Sequence, residues 1–154
     1  MGDDSWKDSL RNCFAGIRLI EVCKHDTRLN FGHFCEFIAE PAFEALAEEL
    51  KEFGLRTKFR REKDKSASFE ISFPKSRQAQ FIYVITLPNN SVDLKLTLKI
   101  RGRKSPSGPF EDTDLPFMEG TTPGDVLKVT KEVLALDIID KYRDFMYHAL
   151  TSAT

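Results

Sequence analysis

The sequence predicts an α+β protein: a four-stranded antiparallel meander, with two N-terminal helices and a C-terminal helix packed on one sheet face. Three observations carry this. Apolar residues recur at spacings of three and four in the first 53 residues and again after residue 122, the period of amphipathic helices. Between those regions the period changes to two, as in half-buried strands. The alternating segments are separated by short connections rich in turn formers, which suit hairpins rather than crossovers.

The first helix is placed at about residues 4–23. Trp6, Leu10, Cys13, Phe14, Ile17 and Ile20 form its stripe, with Lys7, Asp8, Arg11 and Arg18 off it. Residues 24–29 (Lys-His-Asp-Thr-Arg-Leu) read as a connection. Asn30 suits the cap of a second helical stretch, about 30–53, with Phe31, Phe34, Cys35 and Ile38 on one face. Pro41 disfavours helix at Glu40 but suits the first turn of a new one, whose face is Phe43, Leu46, Leu50 and Phe53. Gly54 is a stop signal.

Strands are expected at about 55–62, 67–73, 80–87 and 92–102. Phe69, Ile71 and Phe73 alternate with Ser68, Glu70 and Ser72; Val92 through Ile100 alternate with Asp93, Lys95, Thr97, Lys99 and Arg101. Gln80–Leu87 is apolar on both faces, as a central strand would be. Residues 103–121 hold Gly108, Gly120, Pro106, Pro109 and Pro116 and read as a long irregular loop. The region 122–152 opens on Thr122-Pro123-Gly124-Asp125 and continues as a helix with Ile138, Tyr142, Phe145 and Ala149 on its face, flanked by Ile139, Met146 and Leu150. The β-branched run from Val126 to Thr130 is a place for it to break. The whole, 1–154, is expected to be one domain.

A chain of 154 residues with 41% hydrophobic content can fill a core, which excludes disorder. Its formal charge of −1 hides a segregation. Residues 1–54 carry −5, residues 55–104 carry +9, and residues 105–154 carry −5. The N-terminus has no basic region followed by an apolar run, the apolar runs are too short for a membrane helix, and the three cysteines are odd in number and irregularly spaced. A cytoplasmic protein with free thiols and no membrane partner is the expectation.

No sequence motif names an activity. Nucleophile elbows, zinc-protease helices, P-loops and dinucleotide-binding glycine patterns are absent, so enzymatic function is disfavoured and no cofactor is expected. Four groups of residues merit a site reading. The basic face consists of Arg56, Lys58, Arg60, Lys95, Lys99, Arg101 and Arg103; it suits either phosphate backbones or protection of sheet edges. Cys23, His25, His33 and Cys35 are all zinc-ligating types, though their spacing matches no familiar zinc pattern. The acidic loop carries Phe110, Leu115, Phe117 and Met118, either pinning it to its own domain or offering a docking patch. His25, His33 or His148 beside a cysteine would need a concave pocket to form an enzyme site.

The leading expectation is a cytoplasmic binding or adaptor module that engages a protein partner through loop 104–121 and the open sheet face. The alternatives are nucleic-acid binding by the basic face, a small-ligand enzyme with a site under the loop, and self-association.

Overall fold

A computed structural model describes residues 4–152 of the chain; residues 1–3, on which the targeting argument partly rests, lie outside the described residues. Helix α1 (Ser5–Phe34) runs through a π-helical turn (Cys35–Ala39) into α2 (Glu40–Leu50), which closes with a 3₁₀ turn, Lys51–Phe53. Strands β1 (Thr57–Glu62), β2 (Ser66–Ser72), β3 (Ala79–Thr86), β4 (Thr97–Gly102) and β5 (Glu111–Pro116) follow, then a 3₁₀ segment (Pro123–Lys128) and α3 (Lys131–Thr151). The α+β class and the antiparallel sheet agree with the sequence. The sheet has five strands rather than four, in the order β1-β2-β3-β4-β5, every neighbouring pair antiparallel.

The connection expected at 24–29 is helix. Lys24–Leu29 is polar but contains neither Gly nor Pro, so nothing in it breaks a helix, and Thr27 is buried. The real discontinuity sits at Pro41. A proline inside a helix removes one N–H and crowds the carbonyl four residues back. The chain widens one turn ahead of it: the Glu40 N–H bonds the Cys35 carbonyl, five residues back, before α2 resumes. Gly54 ends the helical run as expected, in the left-handed region at φ 73°.

The fifth strand comes out of the segment expected to be a loop. Glu111-Asp-Thr-Asp-Leu-Pro lacks apolar alternation, so periodicity could not show it. Cross-strand charge holds it instead: Asp112 and Asp114 lie opposite Arg101 and Lys99, and Arg101 Nε donates to Asp112 Oδ1 at 2.9 Å. β4 starts at Thr97 rather than 92. The Leu96 N–H bonds the Leu94 carbonyl and the Lys95 N–H bonds the Asp93 carboxylate, and these local bonds take the place of a ladder. The C-terminal region does break: Val129 and Thr130 are extended, and Thr130 Oγ1 caps α3 by accepting from the Val133 N–H.

α2 and α3 cover one sheet face. Phe43 of α2 stacks on Phe69 of β2 at 5.2 Å between ring centres, and Phe81 of β3 meets Tyr142 and Phe145 of α3 at 5.3 and 5.9 Å. Gly102 makes room for the Phe145 ring, since a Cβ there would lie 2.3 Å from it. The buried Tyr83 hydroxyl donates to Asp137 Oδ2 at 2.5 Å, and Lys141 donates to the other carboxylate oxygen at 3.1 Å, tying α3 to β3. The first helix departs from its expected packing. Every residue from Asp4 to Val22 is exposed, so the stripe of Trp6, Leu10, Cys13, Phe14, Ile17 and Ile20 touches no core. Phe53, Ile139 and Leu150, also expected on packed faces, are exposed as well.

Candidate functional site

The sheet register lays the open face out in rows. Lys58, Glu70, Ile82, Arg101 and Asp112 form one; Arg60, Ser68, Val84, Lys99 and Asp114 form the next; Glu62, Ser66, Thr86, Thr97 and Pro116 a third. Lys58, Arg60, Lys99 and Arg101 of the basic set therefore do share a face. They share it with Glu62, Glu70, Asp112 and Asp114, one carboxylate for each cation, and Arg60 lies 3.9 Å from Glu70. Within these three rows acid and base are equal in number, while Arg56 and Arg77 border the face beside Lys58 and Arg103 joins Arg101 over the Phe110 ring. Three members of the set lie off these rows. Lys95 precedes β4, Arg56 precedes β1, and Arg103 follows β4 with its Nε donating to the Ala79 carbonyl at 2.9 Å. β4 is also an interior strand, so its cations do not guard an edge; β1, with Lys58 and Arg60, is one edge as expected, and β5, with Pro116 and acidic side chains, is the other.

The loop's apolar residues are used within the chain. Phe117 is buried and meets Phe34 edge-to-face at 5.6 Å; Leu115 and Met118 are half-buried against the same core. Phe110 is half-buried, with the guanidinium carbons of Arg101 and Arg103 at 5.0 and 4.4 Å from its ring centre. A cleft of about 480 Å³ does open beside them, lined by Leu94, Leu96, Phe117, Met118 and Val126. Met118 holds a left-handed φ of 48° at that cleft, uncommon for a long side chain.

Cys23, His25, His33 and Cys35 lie on one continuous helical run, which separates the cysteines by about 18 Å of helix axis. His25 and His33 are exposed, and His33 packs on Phe37. Among the described residues no group of three or more His, Cys, Asp or Glu is placed to hold a metal ion. Cys35 is fully buried, and burial pushes its thiol up to about 11, the behaviour of a core residue rather than a nucleophile.

One histidine lines a concavity. A cavity of about 460 Å³ between β5 and α3 is bordered by Glu111, Thr113, Leu115, Lys141, Asp144, Phe145 and His148. Among the described residues no side-chain hydrogen bond or ion pair orients His148, which leaves a wall of mixed charge without an assembled acid–base pair.

An apolar surface expected to be packed stands open to solvent. Trp6, Leu10, Phe14, Ile17 and Ile20 stand 43–59% exposed along the first half of α1. The periodicity was visible; what it could not show is that α2 and α3 already fill the one covered sheet face. No helix among the described residues is long and apolar enough to cross a membrane. No known protein family, curated protein or solved structure matches the chain.

Proposed function

We propose that this chain is a protein-binding, adaptor-type module whose binding element is the exposed half of α1. The observation that carries the reading is an apolar stripe on a helix with nothing of its own to pack against: Asp4 through Val22 are all exposed. Most helical stability in proteins comes from packing of an amphipathic face, which this half of α1 lacks, and contiguous exposed apolar surface marks interaction sites. A partner that covers the stripe supplies the missing packing. Loop 104–121 and the open sheet face, the surfaces the sequence points to first, fit less well, because Phe117 is buried, Phe110 is half-buried under the guanidinium groups of Arg101 and Arg103, and the sheet rows mix acid with base.

The test is co-purification with the full-length chain as bait, wild type against Phe14→Asp/Ile17→Asp. Both positions lie outside the core, so the variant is expected to fold as wild type and to lose the bound protein. Equal capture by the two would refute the assignment. The cavity beside His148 supports a second, small-ligand reading. A thermal-shift screen in which no compound stabilises the chain while sparing His148→Ala would remove it.

A further inference from the structure

We infer that the partner of the α1 stripe is a second copy of this chain, paired with it antiparallel; this inference rests on the binding reading above and specifies its occupant. The stripe has coiled-coil spacing. Trp6, Leu10, Cys13, Ile17, Ile20 and Lys24 follow one another at alternating intervals of four and three, so they occupy successive a and d positions of a seam. Lys7, Phe14 and Glu21 take the e positions beside it, and Ser9, Gly16 and Cys23 the g positions.

This assignment allows few pairings. In a parallel pair Lys24 would face its own copy inside the seam and the two bodies would crowd one end. The antiparallel register centred near residue 15 meets neither objection. It sets Leu10 against Ile20 and Cys13 against Ile17 of the other copy, each pair occurring twice by symmetry. The same register brings the e-position Lys7 of each copy to Glu21 of the other, an opposite-charge pair that also occurs twice. Gly16 meets its own copy at the dyad without side-chain crowding, and Trp6 comes level with Lys24 at each end, whose ammonium here donates to Asn90 at 3.3 Å and would be shared with the indole face. Sliding the helices by one heptad toward greater overlap would bring Lys7 to Arg28, a like-charge contact. Sliding the other way removes Ile20 from the seam.

The area is sufficient. Five side chains at 43–59% exposure offer about 500 Å² of surface per copy, and the pair about 1,000 Å², the floor for a specific interface. The exposed arm, Asp4 to Val22, is about 28 Å long, which lets the two bodies sit at opposite ends. In the single chain Lys7 lies 3.5 Å from Asp4 and 5.6 Å from the Trp6 ring centre, exposed contacts that it can exchange for Glu21 of the other copy at little cost.

Sedimentation equilibrium on the full-length chain tests this. Wild type is expected to show twice the chain mass at ~10–100 µM, the range for an interface near the minimum area. Lys7→Glu and Glu21→Lys should each weaken the dimer about tenfold, since each turns both symmetric pairs repulsive. The double variant should recover to within about threefold of wild type. Ile17→Asp should be monomeric with an unchanged urea midpoint. A wild-type chain that stays monomeric at 100 µM, or a double variant no better than the singles, overturns the antiparallel homodimer. The binding reading fails separately, only if Phe14→Asp/Ile17→Asp also leaves co-purification unchanged.

Discussion

Replacing Gly102 by Ala tests the tightest contact between the sheet and α3. An added Cβ would lie 2.3, 2.5 and 2.8 Å from the Cε2, Cζ and Cδ2 atoms of Phe145, where carbon atoms in contact prefer about 3.5–4 Å. The backbone cannot retreat by the missing ångström, because Gly102 is held in ladders on both sides, opposite Phe81 of β3 and Glu111 of β5. The ring must swing instead, giving up its packing on Phe81. Overpacking of this kind costs about 1–3 kcal/mol, and relief of glycine's strand penalty returns about 0.5–1 kcal/mol. The expected outcome of urea denaturation is a net loss of about 1–2 kcal/mol with an unchanged slope, or roughly 2–8 °C in melting temperature. Phe145→Ala removes the obstacle, so the double variant should be more stable than the sum of the single losses implies, by about 1 kcal/mol. A Gly102→Ala chain as stable as wild type, or strictly additive losses, would refute the packing argument.

Tyr83→Phe deletes one of the two bonds to the Asp137 carboxylate and should cost about 1–2 kcal/mol in the same assay. Burial, followed by the neighbouring Asp137 charge, holds the Tyr83 hydroxyl well above its ordinary 10.0, and burial raises the Cys35 thiol from 9.0 to about 11. Both groups ionise more easily once unfolded, so their contribution is complete below about pH 9 and is lost as pH rises. Cys35 alone accounts for about 2–3 kcal/mol by pH 11. Stability measured from pH 7 to 11 should fall above pH 9, and Cys35→Ala should flatten that fall. Phe34→Ala, which empties a fully buried site against Phe117, should cost about 3–5 kcal/mol, whereas Phe14→Ala at low micromolar concentration should change stability by less than about 0.5 kcal/mol. Equal effects at these two phenylalanines would mean that the arm is packed after all.

What the sequence made legible followed from periodicity and from special backbone geometry. Phe69 and Ile71 announced β2, Gly54 announced the end of the helical run, and the β-branched residues up to Thr130 announced a break, because each is a local preference that the fold respects. β5 escaped because its pairing depends on Asp112 and Asp114 meeting Arg101 and Lys99, a relation between strands that no single segment displays. The basic face suffered the same way: its cations were plain in the sequence, while three of the four carboxylates among them come from other strands, Glu70 from β2 and Asp112 and Asp114 from β5. Helix α1 failed for a different reason. A stripe of Trp6, Leu10, Phe14, Ile17 and Ile20 reports that something covers it, and the pattern is the same whether the cover belongs to the same chain or to another. For Phe117 the sequence leaves pinning and docking both open, and its edge contact with Phe34 is a relation between distant segments that the loop by itself does not display.

The π-helical turn at Cys35–Ala39 also sets a direction. One residue more than a regular helical turn advances the chain by about 100° around the axis. The side chains of α2 are anchored by Phe43 against Phe69 and the last turns of α1 by the buried Phe31 and Phe34, so that extra residue sets the azimuth of α1 relative to α2. Glu36 and Phe37, the latter 65% exposed, are the residues turned outward in this wider loop of backbone. A one-residue deletion there would turn the buried Phe31 and Phe34, and the exposed stripe of the arm with them, out of register with α2 by more than a quarter turn. The orientation in which this protein presents its apolar helix to the outside is thus encoded by a single inserted position, far from the surface it points.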